Sequence, residues 1–182
     1  MQSTTISISE ALARYRDRWP VEAATVDLFA SFLREGPSAF ERSHAAGHFT
    51  GSAWLVSADG ARVLLLHHRK LDRWLQPGGH ADGDLDLARV ALREAREETG
   101  LAGLGVEGEI FDLDRHLIPA RASEPGHWHY DVRYVVRAAA DERFLVNPES
   151  HALAWRAVAA VAADASLDGS LRRMAEKWLT RP

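Results

Sequence analysis

The run REAREETG at residues 93–100 constrains this chain more than any other feature. Residues 85–99 have the periodicity of a helix. On a wheel of about 100° per residue, Leu87, Val90 and Ala91 form one face, which Ala88, Leu92, Ala95 and Thr99 widen. Glu94, Glu97 and Glu98 continue that face within about 100° of one another, because their spacings are three and four. Arg89, Arg93 and Arg96 fall on the other side. The helix is therefore expected to be mostly buried, with carboxylates projecting from its C-terminal end. That arrangement is unfavourable twice over. Glu94 and Glu98 repel by a few tenths of a kcal/mol, and glutamates in a last turn oppose the helix dipole by roughly 0.3–1 kcal/mol each. Gly100 then ends the helix beside them. A purely structural helix would carry lysine there. Either nearby arginines relieve a solvated acidic face, or the strain marks a site.

The rest of the chain reads as one domain with an appendage. Residues 9–18 read as a short helix that stops near Trp19-Pro20. Residues 21–35 read as a second helix, with Val26, Leu28, Phe29, Phe32 and Leu33 at helical spacing and Gly36-Pro37 at its end. This helical hairpin forms an N-terminal extension, residues 1–42, before a main domain, residues 43–182. Residues 48–57 and 61–69 read as strands joined at Asp59-Gly60, a hairpin signal. Residues 105–118, 127–138 and 152–159 read as further strands. Residues 170–180 read as an amphipathic helix, with Leu171, Met174, Ala175, Trp178 and Leu179 on one side. Strands in mixed order around one central helix predict a layered α/β (α+β) domain.

Composition excludes several classes of chemistry. With no cysteine, disulfides, thiolate zinc sites and cysteine nucleophiles are all absent. A net charge of −4 gives no bulk electrostatic case for nucleic acid or an anionic membrane. The first residues lack a basic start followed by an apolar run, and no apolar stretch approaches the roughly 20 residues of a membrane helix. A cytoplasmic protein without nucleic-acid or membrane partners is the expectation.

The glutamates also have a fixed context. Gly78-Gly79 follows a strand pair, and thirteen residues separate Gly79 from Arg93. Here the chain resembles the Nudix hydrolase family (MutT-like). Its signature is Gly, five residues, Glu, seven residues, then Arg-Glu-U-x-Glu-Glu-x-Gly-U with U apolar. Gly79, Arg93, Glu94, Ala95, Glu97, Glu98, Gly100 and Leu101 match in register. At about 7% usage per residue, six fixed identities arise by chance on the order of 10⁻⁷ per starting point. The wider likeness spans about residues 48–160. The one departure is Leu85, where the signature has its first glutamate. Asp84 and Asp86 flank it, and Asp84 is expected to cap the helix.

The resemblance implies an α/β/α sandwich with a mixed sheet and cleavage of a nucleoside diphosphate linked to a group X. It implies Glu94, Glu97 and Glu98 as metal ligands, completed by the Gly79 carbonyl, with Arg93 orienting a carboxylate through an ion pair. Oxygen ligands suit Mg²⁺ or Mn²⁺, which keeps waters and substrate phosphates in its shell. The partner would be a small nucleotide-type diphosphate. Dimerisation is common in the family, so a homodimer is a further expectation. Glu98 is one candidate general base and Glu149, in NPESHALAW, another; alternatively Glu149 is a turn residue after Asn147-Pro148. His127, His129, Asp131 and Arg133 share a strand face at period two. His-x-His could bind a metal, but the carboxylates make the better metal site. The face is either a pocket wall that contacts phosphate or X, or a hydrogen-bonded surface without a role. His80, and Arg69-Lys70 beside Trp74, are candidate substrate contacts, with a solvated basic loop as the alternative.

Two other functions bear on the same signature. Isopentenyl diphosphate isomerases resemble this fold but depend on an active-site cysteine, which this chain lacks. A non-catalytic nucleotide or metabolite sensor would commonly lose box carboxylates. Here Arg93, Glu94, Glu97 and Glu98 are all present, and Leu85 alone favours that alternative.

Overall fold

The computed structural model describes residues 7–120 and 125–181. The chain opens with α1 (Ile8–Arg18) and α2 (Ala23–Phe32). Ser7 and Glu10 cap α1 reciprocally: the Glu10 N–H donates to Ser7 Oγ, and the Ser7 N–H donates to Glu10 Oε2 at 3.0 Å. Pro20 opens a short 3₁₀ turn, so α2 starts later than position 21. It also ends before 35, because residues 33–40 tighten into 3₁₀ turns around Gly36, whose φ of 76° only glycine adopts readily.

The sheet contains β1 (Gly47–Val56), β2 (Arg62–His68), β3 (Arg73–Leu75), β4 (Gly78–His80), β5 (Gly105–Ile118), β6 (His127–Arg137) and β7 (Ser150–Ala157). Its order is β3-β2-β1-β6-β5, with β4 also paired to β1 and β7 to β2. β1 runs parallel to β6 along its whole length, and β4 takes its other edge at Thr50, Gly51 and Ser52. The β1–β2 hairpin is therefore paired only at its tip, Val56 with Val63, and β2 splays away to pair with β7. The expected strand 152–159 stops at Ala157, where α4 (Val158–Ala163) begins; it packs with α5 (Gly169–Leu179).

Alternate residues of β1 divide two cores, as the pleat requires. Phe49, Ala53 and Leu55 join α1, α2 and α3 (Leu87–Thr99) on one face. Trp54 and Val56 join Leu171, Met174 and Ala175 of α5 on the other. The molecule is thus an α/β/α sandwich with a mixed sheet. The helical hairpin shares the first core: Phe32 stacks on Tyr130 with ring centroids 3.9 Å apart, and Phe29 meets the same ring edge-on. Gly51 lets α3 lie directly on β1, since a Cβ there would sit 2.8 Å from the Leu87 carbonyl oxygen. Among the described residues, no helix is long and apolar enough to cross a membrane.

Candidate active site

α3 starts at Leu87, with Asp86 rather than Asp84 as its N-cap: the Asp86 carboxylate accepts the Arg89 N–H at 3.1 Å. Asp84 is committed elsewhere, accepting the Asp86 N–H and both forks of the Arg89 guanidinium. Leu85 points outward, 57% exposed. At the other end Gly100 takes a left-handed conformation, and its N–H closes the helix on the Arg96 carbonyl.

Because α3 lies flat on β1, its last turns meet β4, the neighbour of β1. The Gly78 N–H donates to Glu98 Oε2 at 2.9 Å. Arg93 Nη2 donates to Glu94 Oε1 at 2.8 Å and to the His80 carbonyl at 2.9 Å, tying Glu94 to the same strand. Burial pushes the Glu98 carboxyl up to about 8; the Gly78 N–H opposes this, while the charges of Glu94, Glu149 and Glu97 add to it. Burial also raises Glu94, against the pull of Arg93. Glu97 is exposed. Glu149 arrives from a different part of the chain, on the loop before β7. Arg69 fixes that loop by donating to the carbonyls of Pro148 and Ser150 at 2.9 and 3.0 Å, while its N–H binds the Glu149 carbonyl. Arg69 thus anchors the backbone on either side of Glu149.

The oxygen chemistry of these donors suits a hard divalent cation. The charges of Glu94, Glu149 and Glu97 each add to the rise of the Glu98 carboxyl, and a largely desolvated carboxyl near 8 carries an electrostatic penalty that a cation would relieve.

The histidine face continues this surface. Register places His48 opposite His129 and His129 opposite His116; Thr50 lies opposite both His80 and Asp131. Ring centroids of His48 lie 4.9 Å from His80, 5.0 Å from His127 and 4.7 Å from His129. His48 went unremarked in the sequence because it stands alone near the start of β1; only its pairing with β6 reveals its company. Burial lowers His48 to about 4 and His129 to about 2, and the neighbouring imidazoles add to both shifts.

Arg133 requires a correction. Its side chain is 3% exposed and lies between Asp131 at 2.7 Å, Asp112 at 3.2 Å and Asp114 at 3.3 Å, out of reach of a substrate. Arg173 and Lys177 of α5 bind the same Asp112, and Lys177 continues to Glu22 and Tyr15 of the helical hairpin. Asp131 accepts from Thr50 and Ser52 as well. Trp74 pairs with His67 across β2 and β3, packs against the second core and lines an open hollow of about 550 Å³ with Arg73, Arg156 and Asp168.

The sequence profile of the NUDIX domain matches residues 48–178. No curated protein sequence matches the chain. Several solved structures share the fold. An Ap4A hydrolase from C. elegans superposes with a TM-score of 0.57 at 15% identity, over 72% of this chain and 94% of its own. A dihydroneopterin triphosphate pyrophosphohydrolase from E. coli gives 0.56 at 18%, over 74% and 96%. A NUDIX-family hydrolase from Clostridium perfringens gives 0.54 at 22%, over 72% and 95%.

Proposed function

The chain belongs to the NUDIX domain family and is a hydrolase of that family, and from that premise we propose that it hydrolyses the diphosphate linkage of a nucleoside diphosphate joined to a group X, with Mg²⁺ or Mn²⁺ as cofactor. One observation carries this reading: Glu98, half-buried and held by the Gly78 N–H, feels the charges of Glu94, Glu97 and Glu149. Glu94, Glu97 and Glu98 would hold the cation, together with the Gly79 carbonyl. When bound, the ion neutralises substrate charge and lowers the pKa of water.

The chain's own groups do the rest. Arg93 locks the rotamer of Glu94 and ties it to β4. A carboxylate, Glu98 or the Arg69-supported Glu149, takes a proton from the attacking water as its oxygen bonds to phosphorus. The bridging P–O bond breaks, and the leaving phosphate departs in line. His80, His127 and Trp74 remain candidate contacts for phosphate or X. The described part of the helical extension, residues 7–42, would serve as structural support through the aromatic packing of Phe29 and Phe32 on Tyr130. Leu85, exposed on the approach to α3, takes nothing from the carboxylate group, so its presence argues little for a sensor without turnover.

The test is a panel of nucleoside triphosphates, dinucleoside polyphosphates and nucleotide sugars, scored for released phosphate or nucleoside monophosphate with and without Mg²⁺ or Mn²⁺. Metal-dependent turnover that Glu97→Gln abolishes is expected. No turnover of any compound, or full activity in Glu97→Gln, overturns the proposal.

A further inference from the structure

Separate from the carboxylates, three imidazoles converge on the polar face of the sheet. The candidate ligand atoms of His48, His80 and His129 all lie within 4.8 Å of one another; among the described residues no group of carboxylates reaches that spacing. The residues come from β1, β4 and β6, so the arrangement is set by strand pairing rather than by a flexible loop.

A second, independent observation points to a ligand. His48 is 2% exposed, and neither of its ring nitrogens has a hydrogen-bond partner. The buried Nε2 of His129 has none either. Leaving a buried polar atom unsatisfied is unfavourable, so three on two residues paired across neighbouring strands are not expected from packing alone. A protein that needed only an inert core here would place apolar residues opposite one another, as the same strands do at Phe49 and Tyr130. His48 is also too deeply covered to reach a phosphate in the cleft.

The geometry points to a metal site of nitrogen donors, formed by His48, His80 and His129, that binds Zn²⁺ or a cation of similar preference and is distinct from the carboxylate cluster. Neutral imidazole suits Zn²⁺, Co²⁺ and Ni²⁺, whereas Mg²⁺ and Mn²⁺ prefer oxygen. Tetrahedral Zn²⁺ with bonds of about 2.0–2.1 Å spaces its ligands about 3.4 Å apart, which small side-chain rotations would reach from the present separation. Three protein ligands leave a fourth position for water or His127, whose ring is 5.0 Å from that of His48. The site also touches the reaction centre: the backbone carbonyl of His80 is held by Arg93, which in turn holds Glu94. A cation bound to His80 would therefore stiffen β4 beside the catalytic carboxylates.

The experiment is Zn²⁺ binding by full-length protein stripped of metal with EDTA, read by calorimetry, by metal content after gel filtration and by the visible spectrum of the Co²⁺ form. One Zn²⁺ per chain is expected, with a tetrahedral Co²⁺ spectrum and a raised Tm that excess Mg²⁺ does not reproduce. His129→Gln should weaken binding at least about tenfold, and His80→Gln, at a less buried position, should do the same if His129→Gln fails to fold. Glu97→Gln should bind Zn²⁺ as the parent does, whatever becomes of its turnover. Unchanged Zn²⁺ affinity in both histidine variants, loss of Zn²⁺ in Glu97→Gln, or no Zn²⁺ retained by the parent overturns the inference. Because none of these measurements uses hydrolysis, failure here and failure of the hydrolase reading are separable.

Discussion

The carboxylate of Glu94 occupies the space where a side chain on Gly79 would go: a Cβ at Gly79 would lie 2.5 Å from Glu94 Cδ and 2.5 Å from Oε2. The glycine matters here for its missing atom, since its φ is not in the left-handed region. Gly79→Ala should therefore fold, but with Glu94 displaced from its place beside β4. We expect turnover to fall by about 10²-fold, the loss that about 1 Å of misplacement can cause, with a change in Tm of only a few degrees. A Tm loss comparable to that of a core cavity, with activity per folded molecule intact, would contradict this. Gly51→Ala provides the contrast, because its Cβ would meet the Leu87 backbone and the Val90 side chain. There overpacking should cost about 1–3 kcal/mol of stability.

Glu98 predicts how stability responds to pH in the metal-free protein. Its folded pKa, about 8, lies above the ordinary glutamate value of 4.5. The folded state therefore holds the proton more tightly than the unfolded state. The resulting stability is complete below 4.5 and is lost as pH rises through about 8. One such group gives a slope of at most about 1.4 kcal/mol per pH unit. Thermal unfolding in EDTA should show a falling Tm between these limits. Glu98→Gln should flatten the fall, and Mn²⁺ should offset it if Glu98 is a ligand, since a cation would favour the ionised form. The same substitution should lower turnover by about 10²–10⁴-fold, whether Glu98 acts as base or as ligand.

Arg133 and His129 share a strand face, yet they call for different experiments. Arg133 sits between three aspartates with 3% of its side chain exposed. Arg133→Ala should destabilise the fold by about 3–5 kcal/mol, because buried carboxylates lose their counter-charge. It should not act chiefly through KM. A variant of normal Tm with a selectively raised KM would restore the substrate-contact reading.

These cases show what was legible in the sequence. The helix bearing Glu94, Glu97 and Glu98 was readable because its periodicity is local and its signature has fixed spacing. Period two also told correctly that His127, His129, Asp131 and Arg133 share a face. It could not tell that Arg173 and Lys177, some forty residues away, cover the Arg133 end of that face, nor that His48 stands opposite His129. Both depend on the pairing of β1, β5 and β6 and on the docking of α5, which no local pattern encodes. The same holds for β2, which leaves its hairpin partner for β7. α4 was missed for a different reason: apolar residues continue from strand into helix at Ala157-Val158, without a punctuating residue.

Glu149 is the last carboxylate whose charge reaches Glu98, and Arg69 holds the backbone that carries it. The guanidinium bridges the carbonyls of Pro148 and Ser150, and the Arg69 N–H binds the carbonyl of Glu149 itself. If Glu149 is the base, Arg69→Ala should reduce kcat by about tenfold or more while leaving KM nearly unchanged, because the loop would no longer hold the carboxylate at reacting distance. Glu149→Gln should reduce kcat further. The double variant should then be no worse than Glu149→Gln alone, since the arginine acts only through the residue it positions. Losses that multiply in the double variant, or a raised KM in Arg69→Ala, would instead place the guanidinium on the substrate. Running the same cycle with Glu98→Gln separates the two candidate bases: the variant whose kcat-pH profile loses its acidic limb identifies the carboxylate that takes the proton.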